Sequence, residues 1–362
     1  MLKPIEVPRP EAGEVTVRVH AGGLNFRDVL QRIGLLPEEA FEGGYAGATL
    51  GMEFAGEVLA VGTGVTAWKP GDAVFGFAPG AFRSHLRLPA DGLFAKPASI
   101  SFEAAATLPV AMLTTYYSLH HLARLQRGER VLIHGAAGGV GLAAIQYAQR
   151  AGAEIFASAG SPTKRDFLRR LGVQNIVDSR SLAFADEVRR LTGGEGVDVV
   201  LNSLAGEALH KGVALLRPYG RFIELGKRDF WANTKLGLQP FRNNIQFCGV
   251  DVDRLLLDRP VLAGTLLREL EGLIAEGVFH PLPQRTFPVT RAAEAFRHLQ
   301  QSRHIGKVVL SFDGMPELAA EAPAGNFTVQ PDATYLVTGG DRQSTRLNSS
   351  LGIIWFGVFW GV

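Results

Sequence analysis

The chain has 362 residues, which is too long for one ordinary domain and predicts two domains with a tail. A formal net charge of +2 argues against nucleic acid or an anionic membrane as the main partner. The single cysteine, Cys248, rules out a disulfide framework and a multi-cysteine zinc site. No signal pattern stands at the N-terminus, and the apolar stretch 351–362 is too short to span a bilayer, so we expect a cytoplasmic protein.

The first part of the sequence consists of short strand-like segments and turns. Val15, Val17 and Val19 alternate with polar residues, and Gly and Pro punctuate the segments that follow. This pattern is typical of a β-rich, barrel-like unit. We assign residues 1–108 to its first segment, and residues 281–313, read as a helix and a final strand, to its return segment.

Between residues 109 and 280 the pattern changes to strand-like segments that alternate with helix-like ones of roughly 12 residues. Such alternation predicts βαβ units on a parallel sheet, and so an α/β protein with a Rossmann-type cofactor domain. Ser161 directly before Pro162 predicts a helix N-cap in this part.

A glycine-rich turn, HGAAGGVG at 134–141, joins an apolar strand to a helix. Free amides and the helix dipole make such a turn a phosphate site. Gly138 would let a pyrophosphate approach the backbone, and Gly141 would let the helix pack closely on the strand. The first position of the usual fingerprint is Ala136 rather than Gly; Gly139 and Val140 complete the predicted dinucleotide-binding loop.

The end of the second strand of this sheet indicates which dinucleotide binds. A NAD site normally places a carboxylate there, but this sequence has Ser158, Ser161, Lys164 and Arg165 instead. Hydroxyls and cations suit a 2′-phosphate, so the sequence predicts NADPH. The alternative is that the two cations are merely solvated helix charges. Arg180, after the third strand, would either reach the adenosine phosphate or cap its turn.

Two positions argue against a catalytic zinc. Zinc-dependent alcohol dehydrogenases place a His where this chain has Met52, and a Cys in the early stretch where it has Asn25. We therefore expect no metal and a reaction that needs no Lewis acid. Hydride addition to an activated C=C fits, because the carbonyl of the substrate holds the developing charge.

Seven segments between Pro8 and Phe312 together resemble the enoyl-reductase domain of modular and iterative polyketide synthases, relatives of animal fatty acid synthase: GLNFRDVL, GMEFAGEV, PVAMLTTYYSL, HGAAGGVGLAAIQYAQ, DSRSLAFADEV, VDVVLNSLAGEAL and GRFIELGKRD. The resemblance implies a zinc-independent medium-chain dehydrogenase/reductase with a GroES-like substrate domain. It also implies NADPH-dependent reduction of a trans-2-enoyl thioester on an acyl carrier protein. Hydride would go to C3 and a proton to C2.

The resemblance also implies site residues. Lys227 matches a candidate proton donor and Asp251 its partner, although the neighbouring Asp253 makes that assignment less secure and a purely structural ion pair is the alternative. Asn25 would face the nicotinamide or the substrate oxygen. Thr114 is expected to start the helix whose end approaches the nicotinamide. For both, the alternative is a plain helix cap.

Two further positions complete the predicted site. We place Asn202, in the segment LNSLAGEAL, with the cofactor-binding residues. Many related domains carry a Tyr tied to proton delivery in the loop after NFRDVL, where this chain has Leu36. We therefore expect another proton donor, Lys227 or water, with Leu36 lining the substrate pocket.

The last part of the sequence, residues 314–362, differs in composition from the two predicted domains. Residues 314–332 are predicted to be a linker, and residues 333–340, ATYLVTGG, resemble the start of a following ketoreductase domain. Residues 341–362 contain STRLNSS, typical of translated sequencing adapter, and we expect them to be artefactual. Both ends are expected to be fragment boundaries.

Two other functions stay open on the sequence. One is a free-standing NADPH quinone oxidoreductase, against which the ketoreductase-like segment argues. The other is a non-catalytic cofactor-binding protein or fragment. The oligomeric state is not predicted.

Overall fold

A computed structural model describes residues 6–40 and 43–315 of the chain. Most of the expected linker, the ketoreductase-like segment 333–340 and the tail 341–362 lie outside the described residues. Within them, two sheets organise the chain; one hydrophobic cluster lies at each sheet, and a third contains buried residues of both.

The first sheet has seven strands drawn from both ends of the described chain. Their order is β12-β13-β1-β2-β3-β5, and β4 also pairs with β1. All its pairs are antiparallel except the parallel pair β12 and β13. The strands are β1 (Glu14–Leu24), β2 (Glu53–Val61), β3 (Ala73–Phe77), β4 (His85–Pro89), β5 (Leu93–Ala95), β12 (Gln284–Pro288) and β13 (Lys307–Ser311).

The predicted burial of the alternating valines in the first strand is confirmed, but Thr16 between two of them is also buried. Val15, Val17 and Val19 are at most 2% exposed, whereas Arg18 between them is exposed. Three helices pack around this sheet or beside it: α1 (Phe26–Arg32), α2 (Phe102–Ala105) and α11 (Ala292–Gln300). Short 3₁₀ turns stand at 38–40, 239–243 and 289–291. The predicted helix and final strand near the end of the described chain are α11 and β13, and β13 pairs with β1; β12, which precedes them, was not predicted.

The second sheet has six parallel strands in the order β11-β10-β9-β6-β7-β8. They are β6 (Arg130–Ile133), β7 (Glu154–Ala159), β8 (Asn175–Asp178), β9 (Val197–Asn202), β10 (Leu216–Glu224) and β11 (Gln246–Gly249). The strand order reverses between β6 and β9, and ligands of such sheets bind in the crevice at the carboxyl ends there. The predicted α/β fold with a Rossmann-type sheet is confirmed.

Helices accompany this sheet, most of them shorter than the predicted length. They are α3 (Pro109–Thr115), which continues into a π-helical turn at Tyr116–Leu122, α4 (Gly139–Ala151), α5 (Pro162–Arg170), α6 (Phe184–Leu191), α7 (Glu207–Val213), α8 (Arg228–Trp231), α9 (Val252–Asp258) and α10 (Pro260–Ala275). Ser161 caps α5 as predicted, since its side chain accepts a hydrogen bond from the amide of Lys164.

The return segment also touches the second sheet. Gly306 pairs with Gly138 in a short parallel bridge, and the amide of Gly306 donates to the carbonyl of Ala137 at 2.8 Å. This contact brings the start of β13 directly against the glycine-rich turn.

Candidate active site

The glycine-rich turn is built as tightly as its sequence predicts. Gly135 has φ +61°, a left-handed conformation that favours glycine. A Cβ on Gly141 would lie only 2.5 Å from the Cα of Ala136 and from the carbonyl oxygen of Gly135. Glycine at position 141 therefore lets α4 begin directly on the turn.

The start of α4 has the properties of a phosphate site. Gly138 is the N-cap of this 13-residue helix, and its amide donates to the carbonyl of Gly135. The next three amides, those of Gly139, Val140 and Gly141, have no acceptor within their own helix. Together with the helix dipole they can hold a phosphate oxygen. The cradle therefore fits a dinucleotide.

The floor of the turn holds a buried histidine. The Nδ1 of His134 lies 2.8 Å from the Oγ of Ser158, and both residues are buried. Burial lowers the pKa of His134 to about 3, so the ring is neutral at physiological pH. Ser158 is 0% exposed, and this corrects its prediction as a 2′-phosphate ligand: its hydroxyl faces His134 inside the fold.

The predicted cations after β7 separate into two kinds. The guanidinium of Arg165 binds the Oδ2 of Asp178 at 3.0 Å and the carbonyl of Ala159 at 2.9 Å, which argues against its prediction as a 2′-phosphate ligand. Lys164 donates to the carbonyl of Ser302 at 2.7 Å. Among the described residues, neither Lys164 nor Arg180 forms an ion pair with a carboxylate. These two remain available to an anion.

Two histidines of the return segment, His298 and His304, which sequence reasoning did not identify, lie beside these cations and are held in the neutral form. Burial, together with the charges of Lys164, His298 and Lys307, lowers the pKa of His304 to about 4. Its Nδ1 is buried and has no hydrogen-bond partner among the described residues. Burial and the charge of Arg180 likewise lower the pKa of Lys164. Mutual repulsion of this kind is relieved by a bound anion.

Lys227 and Asp251 meet as predicted, just beyond the carboxyl ends of β10 and β11. The Nζ of Lys227 lies 2.7 Å from the Oδ2 of Asp251 and also donates to the carbonyl of Val250 at 2.9 Å. The Asp251 side chain caps α9 by accepting from the amide of Arg254. Both side chains keep part of their surface exposed, 31% and 39%. The pair is therefore accessible to solvent.

The ambiguity between Asp251 and Asp253 is resolved by their contacts. The Oδ1 of Asp253 accepts from the amide of Ala46 at 2.7 Å, and its carbonyl accepts from the amide of Tyr45. Arg27 lies 3.6 Å from its other oxygen. Asp253 therefore fastens a loop of the first sheet to α9, while Asp251 pairs with the lysine.

Asn25 is partly buried and belongs to a polar cluster with Glu53 and Lys307. Its Nδ2 donates to the Oε1 of Glu53 at 2.8 Å, and its Oδ1 accepts from the Nζ of Lys307 at 2.7 Å. Both polar ends of the amide are thus engaged, which argues against the predicted contact with nicotinamide or substrate. The backbone of Asn25 also caps α1.

The expected position of Thr114 is wrong, because it is the penultimate residue of α3 and does not start the helix. Its side chain is 7% exposed. The adjacent Thr115 reaches the glycine-rich helix, where its hydroxyl donates to the carbonyl of Val140. A contact of Thr114 with the cofactor stays a prediction.

Asn202 ends β9, at the point where the strand order reverses. It is fully buried, and its Nδ2 donates to the carbonyl of Leu204 at 2.7 Å and to the Oε2 of Glu224 at 2.5 Å. Its side chain therefore shapes the turn after β9, and any contact with a cofactor would come through that turn. Leu36 is half-buried in the loop after α1, and its place in a substrate pocket stays a prediction.

The described structure also bears on metal sites and on membrane-spanning helices. Among the described residues, no group of three or more His, Cys, Asp or Glu side chains is arranged to hold a metal ion. No helix in the described part of the chain is both long and apolar enough to cross a membrane.

A barrel-like sheet joined to a parallel sheet, with a glycine-rich phosphate cradle at the crevice, defines a medium-chain dehydrogenase/reductase. The family descriptions that match agree with this class: "Alcohol dehydrogenase GroES-like domain" over residues 11–98 and "Zinc-binding dehydrogenase" over residues 171–310.

Similar proteins indicate which branch of the medium-chain dehydrogenase/reductases this chain resembles. The CurK enoyl reductase structure is 44% identical, with a TM-score of 0.79 over 85% of this chain and 94% of that one. The JamJ enoyl reductase is 39% identical, with a TM-score of 0.77 over 85% and 93%. A phenolphthiocerol/phthiocerol polyketide synthase protein of Mycobacterium tuberculosis is 44% identical over 92% of this chain and 15% of the synthase.

The chain belongs to the family of polyketide-synthase enoyl reductases. It spans about 15% of the length of the curated synthase it matches. The described residues thus form an oxidoreductase fold of a class that uses a nicotinamide cofactor.

Proposed function

We propose that this protein reduces the C=C bond of a trans-2-enoyl thioester to the saturated acyl thioester with NADPH and without zinc. The observation that carries the proposal is the ion pair of Lys227 with Asp251, which stands at the carboxyl edge of the parallel sheet and keeps both groups partly exposed. A cleft that holds a cation at this edge suits a reaction in which negative charge develops on the substrate.

The residues present fit a phosphorylated dinucleotide. The amides at the start of α4 would hold the pyrophosphate, and Lys164 and Arg180 would hold the 2′-phosphate, since neither has a carboxylate partner in the described structure. When bound, NADPH supplies the hydride. The end of β7 carries Ala159, where a NAD site would have a carboxylate that repels a phosphate.

Lys227 is the proposed proton donor. Its ammonium group carries N–H donors and is held in place by the carboxylate of Asp251 at 2.7 Å. With Leu36 at the position where related domains have a tyrosine, no phenol is available at that position. The same ammonium group would stabilise the thioester oxygen as negative charge develops there.

We further propose that the chain acts as one domain of a larger cytoplasmic synthase. Its relatives at this level of identity are multidomain polyketide synthases, of which it matches a small part. The substrate would then arrive on the phosphopantetheine arm of an acyl carrier protein. A ketoreductase domain would follow along the chain.

The test follows the loss of NADPH absorbance with the full chain and crotonyl-pantetheine, run in parallel with NADH and with a soluble quinone. Turnover of the thioester with a preference for NADPH supports the proposal. Turnover of the quinone alone would make the protein a quinone oxidoreductase. Tight NADPH binding with no turnover of either substrate would indicate a non-catalytic binding protein.

A further inference from the structure

Glu224 is a buried carboxylate that the proposed reaction does not use. It is the last residue of β10 and is 1% exposed. Its Oε2 accepts from the Nδ2 of Asn202, the last residue of β9, at 2.5 Å. Its Oε1 accepts from the amide of Gly226 at 2.5 Å, one residue before Lys227. One side chain therefore links the turns that follow two neighbouring strands.

The backbone of Glu224 reaches the third strand end. Its carbonyl accepts from the amide of Val250 at 2.9 Å, and the carbonyl of Val250 in turn accepts from the Nζ of Lys227 at 2.9 Å. Val250 directly precedes Asp251, the ion-pair partner of the lysine. The two groups that hold the Lys227 ammonium are the carbonyl of Val250 and the carboxylate of Asp251. Both belong to a segment that is hydrogen-bonded to the backbone of Glu224 through the amide of Val250.

The turn between Glu224 and Lys227 leaves little freedom. A Cβ on Gly226 would lie 2.6 Å from the Oε1 of Glu224, so glycine is needed for the carboxylate to bend back onto the amide. The amide of Gly226 donates to the side-chain oxygen of Glu224. The direction of the backbone at Lys227, the next residue, therefore depends on the Glu224 carboxylate.

We propose that Glu224 is a positioning residue for Lys227, and that its ionised carboxylate holds the lysine in the geometry in which it meets Asp251 and the substrate. This inference rests on the proposed function for its catalytic consequence, while the positioning itself can be measured without turnover.

The positioning has an expected pH dependence. Burial, with a smaller contribution from Asp229, raises the pKa of Glu224 to about 7, while Asn202, the amide of Gly226 and Lys227 act in the opposite direction. These are the polar and charged groups that face it. Protonation of Glu224 weakens its two carboxylate oxygens as acceptors for the side-chain amide of Asn202 and the backbone amide of Gly226. Lys227 should therefore be held most firmly above pH about 7 and released as the pH falls through that value.

The experiment measures acetylation of Lys227 by acetic anhydride in the full chain, read by mass spectrometry across acidic to alkaline pH. Dividing by the labelling of Lys69, whose side chain is 82% exposed, removes the general effect of pH on amines. In the wild type this ratio should be low at alkaline pH and rise several-fold as the pH falls below about 7. In Glu224→Gln it should be high throughout and flat.

Glu207→Gln serves as the matched control, because Glu207 is exposed on α7 and makes neither contact; its profile should follow the wild type. If Glu224→Gln does not fold, as judged by circular dichroism, Glu224→Asp tests the same point with a charge too short to reach both donors. It should raise the ratio at alkaline pH. A wild-type ratio that is flat, or Glu224 variants that follow the wild type, would overturn the inference.

Enoyl reduction by the same proteins separates this inference from the proposed function. Wild-type protein that shows the labelling step but no thioester turnover contradicts the function and leaves the positioning intact. Where the wild type turns over, Glu224→Gln should lose kcat with little change in KM. An active wild type with an equally active, equally protected variant contradicts the positioning alone.

Discussion

The Nζ of Lys307 lies 2.5 Å from the Oε1 of Glu53, and both side chains are at most 5% exposed. The second oxygen of Glu53 accepts from the amide of Val110 near the start of α3 at 2.8 Å. Lys307 also packs along the glycine-rich helix, since a Cβ on Gly139 would lie 2.7 Å from its Cδ. One ion pair thus connects β2, β13, α3 and the cofactor turn.

Removing one partner of this pair should destabilise the protein strongly. Lys307→Met leaves Glu53 as an uncompensated buried charge, and we expect a loss of about 3–5 kcal/mol in the free energy of unfolding. Denaturant unfolding monitored by tryptophan fluorescence measures it. The double variant Lys307→Met/Glu53→Gln should recover much of the loss. A loss below about 1 kcal/mol in the single variant would show that the charges are effectively solvated.

Lys227→Met should remove the proton donor while leaving the cofactor site intact. We expect kcat for enoyl reduction to fall by about 10²–10⁴, the usual contribution of a general acid, with no change in NADPH affinity. Stopped-flow turnover and fluorescence titration give the two values. Lys235→Met, at an exposed lysine nearby, is the control and should behave as wild type. Comparable kcat in both variants would assign proton delivery to water.

The two neighbouring aspartates should give opposite phenotypes. Asp251→Asn keeps an oxygen for the α9 cap but loses the charge beside Lys227, so we expect lower kcat and nearly unchanged stability. Asp253→Ala leaves the buried amide of Ala46 without its acceptor and should cost about 1–3 kcal/mol of stability. Paired melting and kinetic measurements check both. The assignment is wrong if Asp253→Ala alone affects turnover in a stably folded protein.

The cations after β7 and β8 should differ in their effect on cofactor choice. Lys164→Gln and Arg180→Gln each remove a charge-assisted hydrogen bond worth about 1.5–3 kcal/mol, so we expect the Kd for NADPH to rise by about 10- to 100-fold. The Kd for NADH should stay constant. Arg165→Gln, which removes the cation paired with Asp178, should leave the ratio of the two affinities unchanged. Equal effects of all three changes would place the phosphate elsewhere.

The low pKa of His304 predicts a window of acid sensitivity. The folded state binds fewer protons than the unfolded state between pH about 4 and the ordinary histidine pKa of 6.5, so stability rises with pH in that window and falls as the pH drops through it. His304→Gln should flatten this part of the profile by on the order of 1–3 kcal/mol. Melting temperatures from pH 7 to pH 4 measure it. An unchanged slope would mean that His304 is protonated in the fold.

The regular elements and the phosphate cradle follow from local sequence. Alternating valines, the glycine spacing and the pairing of Ser161 with Pro162 each act over a few residues, and periodicity or cap chemistry reports them directly. The pairing of Lys227 with Asp251 was also predicted, but from the family resemblance and not from local patterns. The ion pair spans two strand ends that local patterns do not connect.

What sequence reasoning missed depends on contacts between distant segments. Ser158 is typical of a phosphate ligand by its position near the end of β7, yet its hydroxyl is turned inward to His134, which directly follows β6. Arg165 forms an ion pair with Asp178 on β8. His304 and Lys307 come from a segment far along the chain whose docking on the glycine turn no local motif indicates. Burial and partner choice here are set by the tertiary fold.

The bridge between Gly306 and Gly138 has a practical consequence for building hybrid synthases. A cut around the parallel sheet at residues 109 and 280 would remove the partner of the Ala137 carbonyl and expose the charge of Lys307. Domains are exchanged successfully where few contacts cross the junction. Residues 6–315 should accordingly be transplanted as one cassette, with the donor's return segment kept beside the donor's own cofactor turn.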